Sequence, residues 1–219
     1  MKKIISLVLL ATMALMCFTA CGKDKDSKKD SSTAKVNATA QPEETAKADD
    51  QTMLSGKHHV SMEIANYGTL ELELDADIAP ITVTNFVKLA EQGFYDGLTF
   101  HRIMSGFMIQ GGDPNGDGTG GSEETIKGEF TSNGIENDLS HKRGVISMAR
   151  STDPDSASSQ FFICHQDSTF LDGDYAAFGT VTAGMEIVDK ICEDANPLDN
   201  NGTIAKDKQP KITAVRVID

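Results

Sequence analysis

The sequence predicts a mainly β domain, an antiparallel barrel that is closed or nearly closed, with α-helices at its ends. Two observations support this fold class. Many short apolar runs are bounded by turn residues, which is typical of buried strands, and only two segments of the domain have helical spacing. Because a parallel sheet needs a crossover helix between most of its strands, two helices favour antiparallel pairing.

The first two strands are predicted to form a β-hairpin. Apolar residues alternate with mostly polar ones on both sides of the turn segment 66–68. These apolar residues are Val60, Met62, Ile64, Leu70, Leu72 and Leu74. A period of two places one face of each strand on a core and the other in solvent. Further apolar runs at 145–148, 160–163 and 212–218 are predicted as later strands.

Two helices are predicted between these strands. The first begins at Pro80 and ends before Gly93, because Pro suits the first turn of a helix and Gly its end. Its apolar face consists of Val83, Phe86, Val87 and Ala90. The second lies near 185–191, where Ile187, Val188 and Ile191 have the spacing to cover an open end of the barrel.

The N-terminus is predicted to be a secretion signal, residues 1–20. Lys2 and Lys3 precede an uncharged run from Ile4 to Ala20, and Cys21 follows. The end of this run resembles the lipobox of bacterial lipoproteins, which implies that Cys21 carries lipid. An uncleaved transmembrane anchor is the alternative, although 17 uncharged residues are at the short end of the spanning range. We therefore expect an extracytoplasmic protein, lipid-anchored to the bacterial cell membrane.

Residues 21–56 are predicted to be the lipidated Cys and a flexible linker. The linker is rich in Lys, Asp, Ser, Thr and Ala and has almost no large apolar side chain. Such a segment cannot bury enough surface to fold. The remaining residues, 57–219, have a length suited to one domain with one core.

The charge of the domain limits its partners. Residues 57–219 carry 12 Lys and Arg against 26 Asp and Glu, a formal balance of −14. This balance argues against nucleic acid and against electrostatic binding to anionic lipid, so a membrane would be reached only through the lipid anchor. Cys164 and Cys192 are the cysteines of the domain, and their spacing leaves open whether they pair. A monomer is expected.

Arg102 lies in an unusual setting. The run from Phe100 to Asp113 places this cation near Phe107 and Met108 and contains paired glycines. Arg is rarely buried without a partner, so the run indicates a groove in which a hydrogen-bond donor meets an apolar wall. The alternative is an ordinary strand whose Arg extends to water.

Five motifs in residues 57–219 resemble those of the cyclophilin peptidyl-prolyl cis-trans isomerases. They are Phe100-His101-Arg102, the sequence GFMIQGGD at 106–113, GTGG at 118–121, SSQFFI at 158–163, and Leu171-Asp172-Gly173. The resemblance implies an eight-stranded antiparallel closed β-barrel capped by two α-helices. It also implies an isomerase that acts on proline-containing polypeptides and needs no cofactor.

The same resemblance implies the roles of individual residues. Arg102, Phe107 and Gln110 are expected to be catalytic, and His101 is expected to brace Arg102. The predicted substrate-binding residues are His101, Met108, Ala149, Arg150, Ser151, Gln160, Phe162, Phe170, Leu171 and Tyr175. The sequence departs from many eukaryotic members at two of these positions, with Phe170 in place of Trp and Tyr175 in place of His.

The function predicted from these residues is acceleration of X-Pro rotation during the folding of exported proteins. No covalent bond changes in this reaction, so the site needs neither a nucleophile nor a metal. A non-catalytic proline-peptide-binding module or holdase using the same groove is the alternative. A solute-binding lipoprotein is disfavoured because the single domain lacks a second lobe, and no Gly-x-Ser-x-Gly motif indicates a serine hydrolase.

One segment matches a metal-binding pattern. Asp113 to Glu124 satisfies the spacing of an EF-hand calcium loop, but Pro114 stiffens it and a strand is predicted before it. The histidines at 58, 59, 141 and 165 lack the spacing and Cys partners of zinc sites. We therefore predict no metal, and calcium binding by 113–124 stays an open alternative.

Overall fold

A computed structural model describes residues 52–219, and within them the chain forms eight β-strands and two α-helices. The strands are β1 Lys57–Ile64, β2 Gly68–Asp75, β3 Thr99–Met104, β4 Met108–Asp113, β5 Val145–Met148, β6 Phe161–Cys164, β7 Ala177–Ala183 and β8 Ile212–Val217, and the helices are α1 Pro80–Glu91 and α2 Met185–Asp194. Neither helix of this region is long and apolar enough to cross a bilayer. The predicted signal peptide 1–20, Cys21 and most of the linker lie outside the described residues.

All eight strands belong to one curled antiparallel sheet, in the order β3-β4-β6-β5-β7-β2-β1-β8. The mainly β, antiparallel fold with two helices is therefore confirmed. Its two edge strands approach each other, since Gly97 N–H donates to Ile212 O at 2.8 Å and Ile212 N–H donates to Leu98 O at 2.8 Å. Phe100 N–H also donates to Pro210 O at 2.9 Å, beside the isolated bridge Thr99–Lys211. Among the described residues β3 and β8 form no continuous ladder, so full closure of the barrel stays a prediction.

The predicted hairpin is confirmed as β1 and β2, which pair from Lys57 with Asp75 to Ile64 with Gly68. Asn66 has a φ of 67° and Gly68 a φ of 123°, values that few other residues adopt without strain. The alternating apolar side chains of both strands are buried in the main core, as the period of two requires. The turn residues therefore set the register that buries this face.

Helix α1 begins at Pro80 and ends just before the turn at Gly93, as predicted. A buried carboxylate binds its first turn. The backbone N–H groups of Ile81 and Thr82 and the Thr82 hydroxyl donate to Glu129 at 3.0, 2.8 and 2.7 Å. A negative charge at this end of a helix satisfies unpaired N–H groups and complements the helix dipole. The helix is thereby tied to the loop that carries Phe130.

Strands β4 and β6 divide their side chains between two apolar clusters. Ile109, Phe161 and Ile163 belong to the main core. Met108 and Phe162 point to the other face, where a second cluster contains Met108, Phe162, Cys164 and Leu171. We call this second cluster the groove cluster. Cys164 and Cys192 are both buried free thiols.

Candidate active site

Strand β3 carries Arg102 to the groove cluster, where neighbouring acceptors fix its guanidinium. Arg102 Nε donates to the backbone oxygen of Asn201 at 2.7 Å, and Nη2 donates to Asn201 Oδ1 at 3.2 Å. Nη1 donates to Gln110 Oε1 at 3.1 Å, and Nη2 also contacts Met104 Sδ at 3.1 Å. Burial lowers the pKa of Arg102 from its usual value, but an arginine remains charged at neutral pH.

A small cavity lies against this guanidinium. It has a volume of about 130 Å³ and is here called the proline cavity. Its lining consists of Arg102, Phe107, Met108, Gln110, Ala149, Arg150, Phe162, Leu171 and Tyr175. All nine are predicted site residues, so the structure brings most of that set into one place. An apolar floor with a fixed cation at its side suits a neutral ring that gains an acceptor as it reacts.

A larger cavity of about 350 Å³ adjoins the proline cavity and is here called the polar cavity. It is lined by Gln110, Gly118, Thr119, Gly120, Gly121, Ser122, Ala149, Arg150, Ser151, Ser156, Ser158 and Gln160. The predicted residues Ser151 and Gln160 lie here rather than in the proline cavity. Because Gln110, Ala149 and Arg150 line both cavities, one extended peptide can occupy the two together.

Two glutamine side chains connect Arg102 to the wall of the polar cavity. Gln110 Nε2 donates to Gln160 Oε1 at 2.9 Å. Gln160 Nε2 donates in turn to the backbone oxygens of Gly118 and Gly120 at 3.1 and 2.7 Å. The loop 118–120 is therefore hydrogen-bonded to the groove through Gln110 of β4 and Gln160, the residue just before β6.

His101 lines neither cavity. It is the extra residue where the register of β3 shifts between Phe100 and Arg102, and bulges of this kind redirect side chains. The ring is buried beneath Gly118. A Cβ atom added to Gly118 would lie 3.7 Å from His101 Nε2. Neither ring nitrogen has a hydrogen-bond partner among the described residues, so no hydrogen bond joins the ring to Arg102 there, and its bracing role stays a prediction. Burial lowers the pKa of His101, although Asp113 opposes this.

Phe170 also lies outside the lining of both cavities. Its side chain is 72% exposed, and its ring centroid is 5.5 Å from that of Phe107 at the rim of the proline cavity. The structure therefore places Phe170 beside the groove rather than inside it.

A hydrogen-bonded network centred on the buried His141 supports Phe162 from behind. The His141 ring stacks on Phe162 with centroids 5.9 Å apart. His141 Nδ1 is 2.8 Å from Asp172 Oδ1, and Nε2 is 2.9 Å from Ser147 Oγ. Burial lowers the pKa of His141, while Asp172 opposes this change. Ser147 is fully buried, so this serine cannot meet a substrate, and the network serves to hold one wall of the proline cavity.

The segment 113–124 has no EF-hand architecture. Strand β4 precedes it, and no helix is present from 114 to 130. The Asp113 carboxylate accepts hydrogen bonds from the backbone N–H groups of Asn115, Asp117 and Gly118, which shape the loop. Within residues 52–219 there is no group of three or more Asp, Glu, His or Cys side chains placed to hold a metal ion.

Sequence reasoning missed several residues of the site. Asn201 supplies two acceptors to Arg102 from the loop between α2 and β8, and no pattern around it indicated this contact. Ser156 and Ser158 line the polar cavity from the loop between β5 and β6. Gly118 to Gly121 were recognised as a motif, but their place in the wall of a second cavity was not predicted.

Fold and site together define a class of protein, a single-sheet antiparallel β domain with an apolar peptide groove beside a fixed arginine. The family model described as cyclophilin type peptidyl-prolyl cis-trans isomerase/CLD matches residues 59–217. Because this match spans most of the chain, the protein belongs to the cyclophilin-type peptidyl-prolyl isomerase family.

Curated relatives agree with this assignment. The chain is 48% identical over 128 residues to a peptidyl-prolyl cis-trans isomerase of Helicobacter pylori, covering 58% of this chain and 76% of that relative. It is 44% identical over 138 residues to peptidyl-prolyl cis-trans isomerase B of Bacillus subtilis, covering 63% of this chain and 87% of that relative. The isomerase interpretation is therefore supported over the non-catalytic binding module.

A solved structure is also similar. The cyclophilin-type peptidyl-prolyl cis-trans isomerase of Cryptosporidium parvum, determined in the presence of the dipeptide Ala-Pro, has a TM-score of 0.65 and 30% sequence identity. The similarity covers 74% of this chain and 99% of that chain.

Proposed function

We propose that this isomerase rotates X-Pro bonds by donating a hydrogen bond from Arg102 to the prolyl nitrogen. The barrier to rotation is about 18–20 kcal/mol because the nitrogen lone pair is delocalised into the carbonyl group. In the twisted transition state the lone pair returns to nitrogen, which becomes an acceptor. Arg102 then binds the transition state more strongly than the planar ground state, and this difference lowers the barrier.

The lowering of the rotation barrier is consistent with one strong hydrogen bond and a cavity that fits the proline ring. Uncatalysed exchange takes tens to hundreds of seconds, and reaching a median turnover of about 10 per second requires roughly 4 kcal/mol. One charge-assisted hydrogen bond contributes about 1.5–3 kcal/mol. The remainder is assigned to holding the ring in a water-poor cavity while the carbonyl side turns.

The substrate is proposed to lie across both cavities. The proline ring occupies the proline cavity, against Phe107, Met108, Phe162 and Leu171. Gln110, Gln160 and the segment 149–151 hold the neighbouring peptide groups. The Ala-Pro dipeptide present with the Cryptosporidium parvum relative supports proline-containing polypeptides as the substrates. The single observation that carries this proposal is the position of the Arg102 guanidinium in the lining of the proline cavity.

The setting of the reaction is proposed from the N-terminal sequence. A signal peptide of 1–20, a lipidated Cys21 and a linker to residue 56 would tether the isomerase outside the cytoplasmic membrane of a bacterium. Its substrates there are exported proteins that fold after delivery across the membrane. We also propose a monomer, and a barrel closed by the bonds that Gly97 and Leu98 form with Ile212.

Arg102→Ala tests the proposed mechanism. Loss of the donor is expected to lower kcat/KM for a proline peptide about 100-fold, the equivalent of one charge-assisted hydrogen bond. NMR exchange spectroscopy measures the rate, and a peptide titration measures binding, which should weaken little. Arg216→Gln is the matched control, since this arginine pairs with Asp96 away from both cavities. Unchanged exchange in the Arg102→Ala protein would refute the assigned role.

Cys21→Ser tests the proposed anchor in bacteria that export the full chain. The wild-type protein should incorporate labelled fatty acid and sediment with membranes, and the variant should do neither. Membrane association of the Cys21→Ser protein equal to that of wild type would instead favour the uncleaved anchor.

A further inference from the structure

Two methionine sulfur atoms contact the guanidinium of Arg102. Met104 Sδ lies 3.1 Å from Nη2, and Met108 Sδ lies 3.9 Å from Nη1. The other contacts are to oxygen, because Nε and Nη2 donate to Asn201 and Nη1 donates to Gln110. A guanidinium has five N–H groups, so by these partners three are bound by oxygen and two face sulfur. Since a thioether is a weak acceptor, the two N–H groups that face sulfur are the ones most readily transferred to a prolyl nitrogen.

The two methionine side chains differ in exposure. Met108 is 1% exposed and belongs to the groove cluster. Met104 is half-buried at the end of β3, and the exposed turn residues Ser105 and Gly106 follow it. It does not line the proline cavity, and the proposed reaction gives it no role. A small polar reagent from solvent therefore reaches Met104 more readily than Met108.

The thiols of the described residues are poor competitors for an oxidant. Cys164 and Cys192 are both buried, and burial raises their pKa to about 12 and about 11. Because the thiolate is the reactive form of cysteine, very little of either side chain is reactive at neutral pH. A thioether has no proton to lose before it reacts, so Met104 is free of this requirement.

We propose that Met104 is an oxidation site at which a peroxide converts the isomerase to a slower form. A lone pair of Sδ attacks one oxygen of hydrogen peroxide, and the S–O bond forms as the O–O bond breaks. The departing hydroxide takes the proton of the transferred hydroxyl group and leaves as water. Sulfur thus gives two electrons to the peroxide and becomes a sulfoxide. The proposal rests on the proposed function, since the group affected is the Arg102 donor.

The sulfoxide oxygen competes with the substrate for Arg102. Sδ is 3.1 Å from Nη2, so an oxygen bonded to this sulfur lies within reach of the N–H group that now faces it. That oxygen is polar, and a hydrogen bond from a cation to it is stronger than the contact with sulfur. The N–H group is then held in the ground state and is less available in the transition state. The N–H group that faces Met108 is unaffected, so the loss should be smaller than in Arg102→Ala.

Treatment of the full chain with hydrogen peroxide tests the proposal. Mass spectrometry measures the sulfoxide at each methionine, and NMR exchange measures kcat/KM for a proline peptide. Met104 should be oxidised faster than Met108. The kcat/KM should fall about tenfold when Met104 is fully oxidised, which is part of the 100-fold loss expected without the guanidinium. Methionine sulfoxide reductases with dithiothreitol should restore the rate, and dithiothreitol alone should not.

Three variants assign the effect to one sulfur atom, and each is compared with its own rate before treatment. Met104→Leu has a similar volume and no sulfur, so its rate should survive peroxide. Met53→Leu is the matched control, because Met53 is 53% exposed and precedes β1, and this variant should lose activity as the wild-type protein does. Met104→Gln places an amide oxygen near Arg102 and should lower kcat/KM without peroxide, which keeps a test if Met104→Leu does not fold.

The outcomes separate this proposal from the proposed function. An unchanged kcat/KM in wild-type protein whose Met104 is oxidised overturns the oxidation site. An equal fall in Met104→Leu, recovery with dithiothreitol alone, or a Met104 that stays reduced while Met53 is oxidised would overturn it too. Failure of the untreated wild-type protein to accelerate exchange would instead count against the isomerase mechanism itself.

Discussion

Phe161 and Phe162 are neighbours on β6, yet they belong to different parts of the molecule. Phe161 is fully buried in the main core, where its ring lies 5.6 Å from Phe86 and 5.7 Å from Tyr95. Phe162 belongs to the groove cluster and lines the proline cavity. The comparison teaches that one short strand builds the core with one face and the site with the other. Residues of the site therefore gain their rigidity from the packing of their own neighbours.

Alanine substitutions at Phe161 and Phe162 should differ in their effects on stability and on activity. Phe161→Ala is expected to lower the free energy of unfolding by about 3–5 kcal/mol, because it leaves a closed cavity in the core. Phe162→Ala should cost less, about 2 kcal/mol, since the space it leaves opens to the groove and fills with water. It should also lower kcat/KM about tenfold, the equivalent of roughly 1.4 kcal/mol.

Urea unfolding and NMR exchange measure the two effects. If Phe162→Ala destabilises the domain as much as Phe161→Ala and leaves kcat/KM unchanged, the division between core and groove is wrong.

A buried histidine lies near each cavity, and both should make the domain sensitive to acid. Burial lowers the pKa of His101 and of His141 below the unfolded value of about 6.5. Between the lowered pKa and about 6.5 the unfolded chain binds more protons. Stability is therefore complete above about pH 6.5 and falls as the pH drops below it, by at most about 1.4 kcal/mol per pH unit for each histidine.

Urea titrations between about pH 5 and 7 check this prediction, since most carboxylates titrate lower, near pH 4. His101→Leu removes one buried imidazole without an observed hydrogen-bond partner and should flatten the pH dependence. His59→Gln, at an exposed position on β1, is the control. An equal slope in the wild-type and His101→Leu proteins would show that His101 does not contribute.

The smallest predicted effect concerns the acceptor that sequence reasoning missed. Asn201→Ala removes the Oδ1 acceptor of Arg102 but keeps the backbone oxygen that accepts from Nε. One ordinary hydrogen bond contributes about 0.5–1.5 kcal/mol, so kcat/KM should fall about threefold without a change in stability. Asn200→Ala, at the exposed neighbouring position, should have no effect. An equal kcat/KM in the two variants would show that the Asn201 side chain does not contribute to the site.

Local patterns were sufficient to predict much of the fold. The period of two in β1 and β2, and Pro80 with Gly93 around α1, each follow from backbone geometry within a short segment. The strand predicted at 160–163 is displaced by one residue, to Phe161–Cys164, because alternation within a continuous apolar run does not define an end. Whether the sheet closes into a barrel depends on contacts between distant segments, which no single segment reveals.

The candidate site shows the same limit. Motif resemblance identified residues that share a strand or a recognised segment, such as Arg102 and Gln110. It could not identify Asn201, which comes from a loop about 100 residues later and contributes a backbone oxygen available in any residue type. It also could not give the direction of the His101 side chain, to which the resemblance assigns a bracing role. At the bulge in β3 the imidazole lies toward Gly118.

The glutamine connection between Arg102 and the loop 118–120 has a direction. A guanidinium can only donate, so Gln110 must present its oxygen to Arg102 and its NH₂ group to Gln160. Gln160 must then present its own NH₂ group to the carbonyls of Gly118 and Gly120. The guanidinium at one end only donates and the two carbonyls at the other end only accept, so both ends select the same amide orientation at each glutamine. Without a cation at position 102, the carbonyls would still orient Gln160 and, through it, Gln110, whose oxygen would then lack the donor that Arg102 supplies.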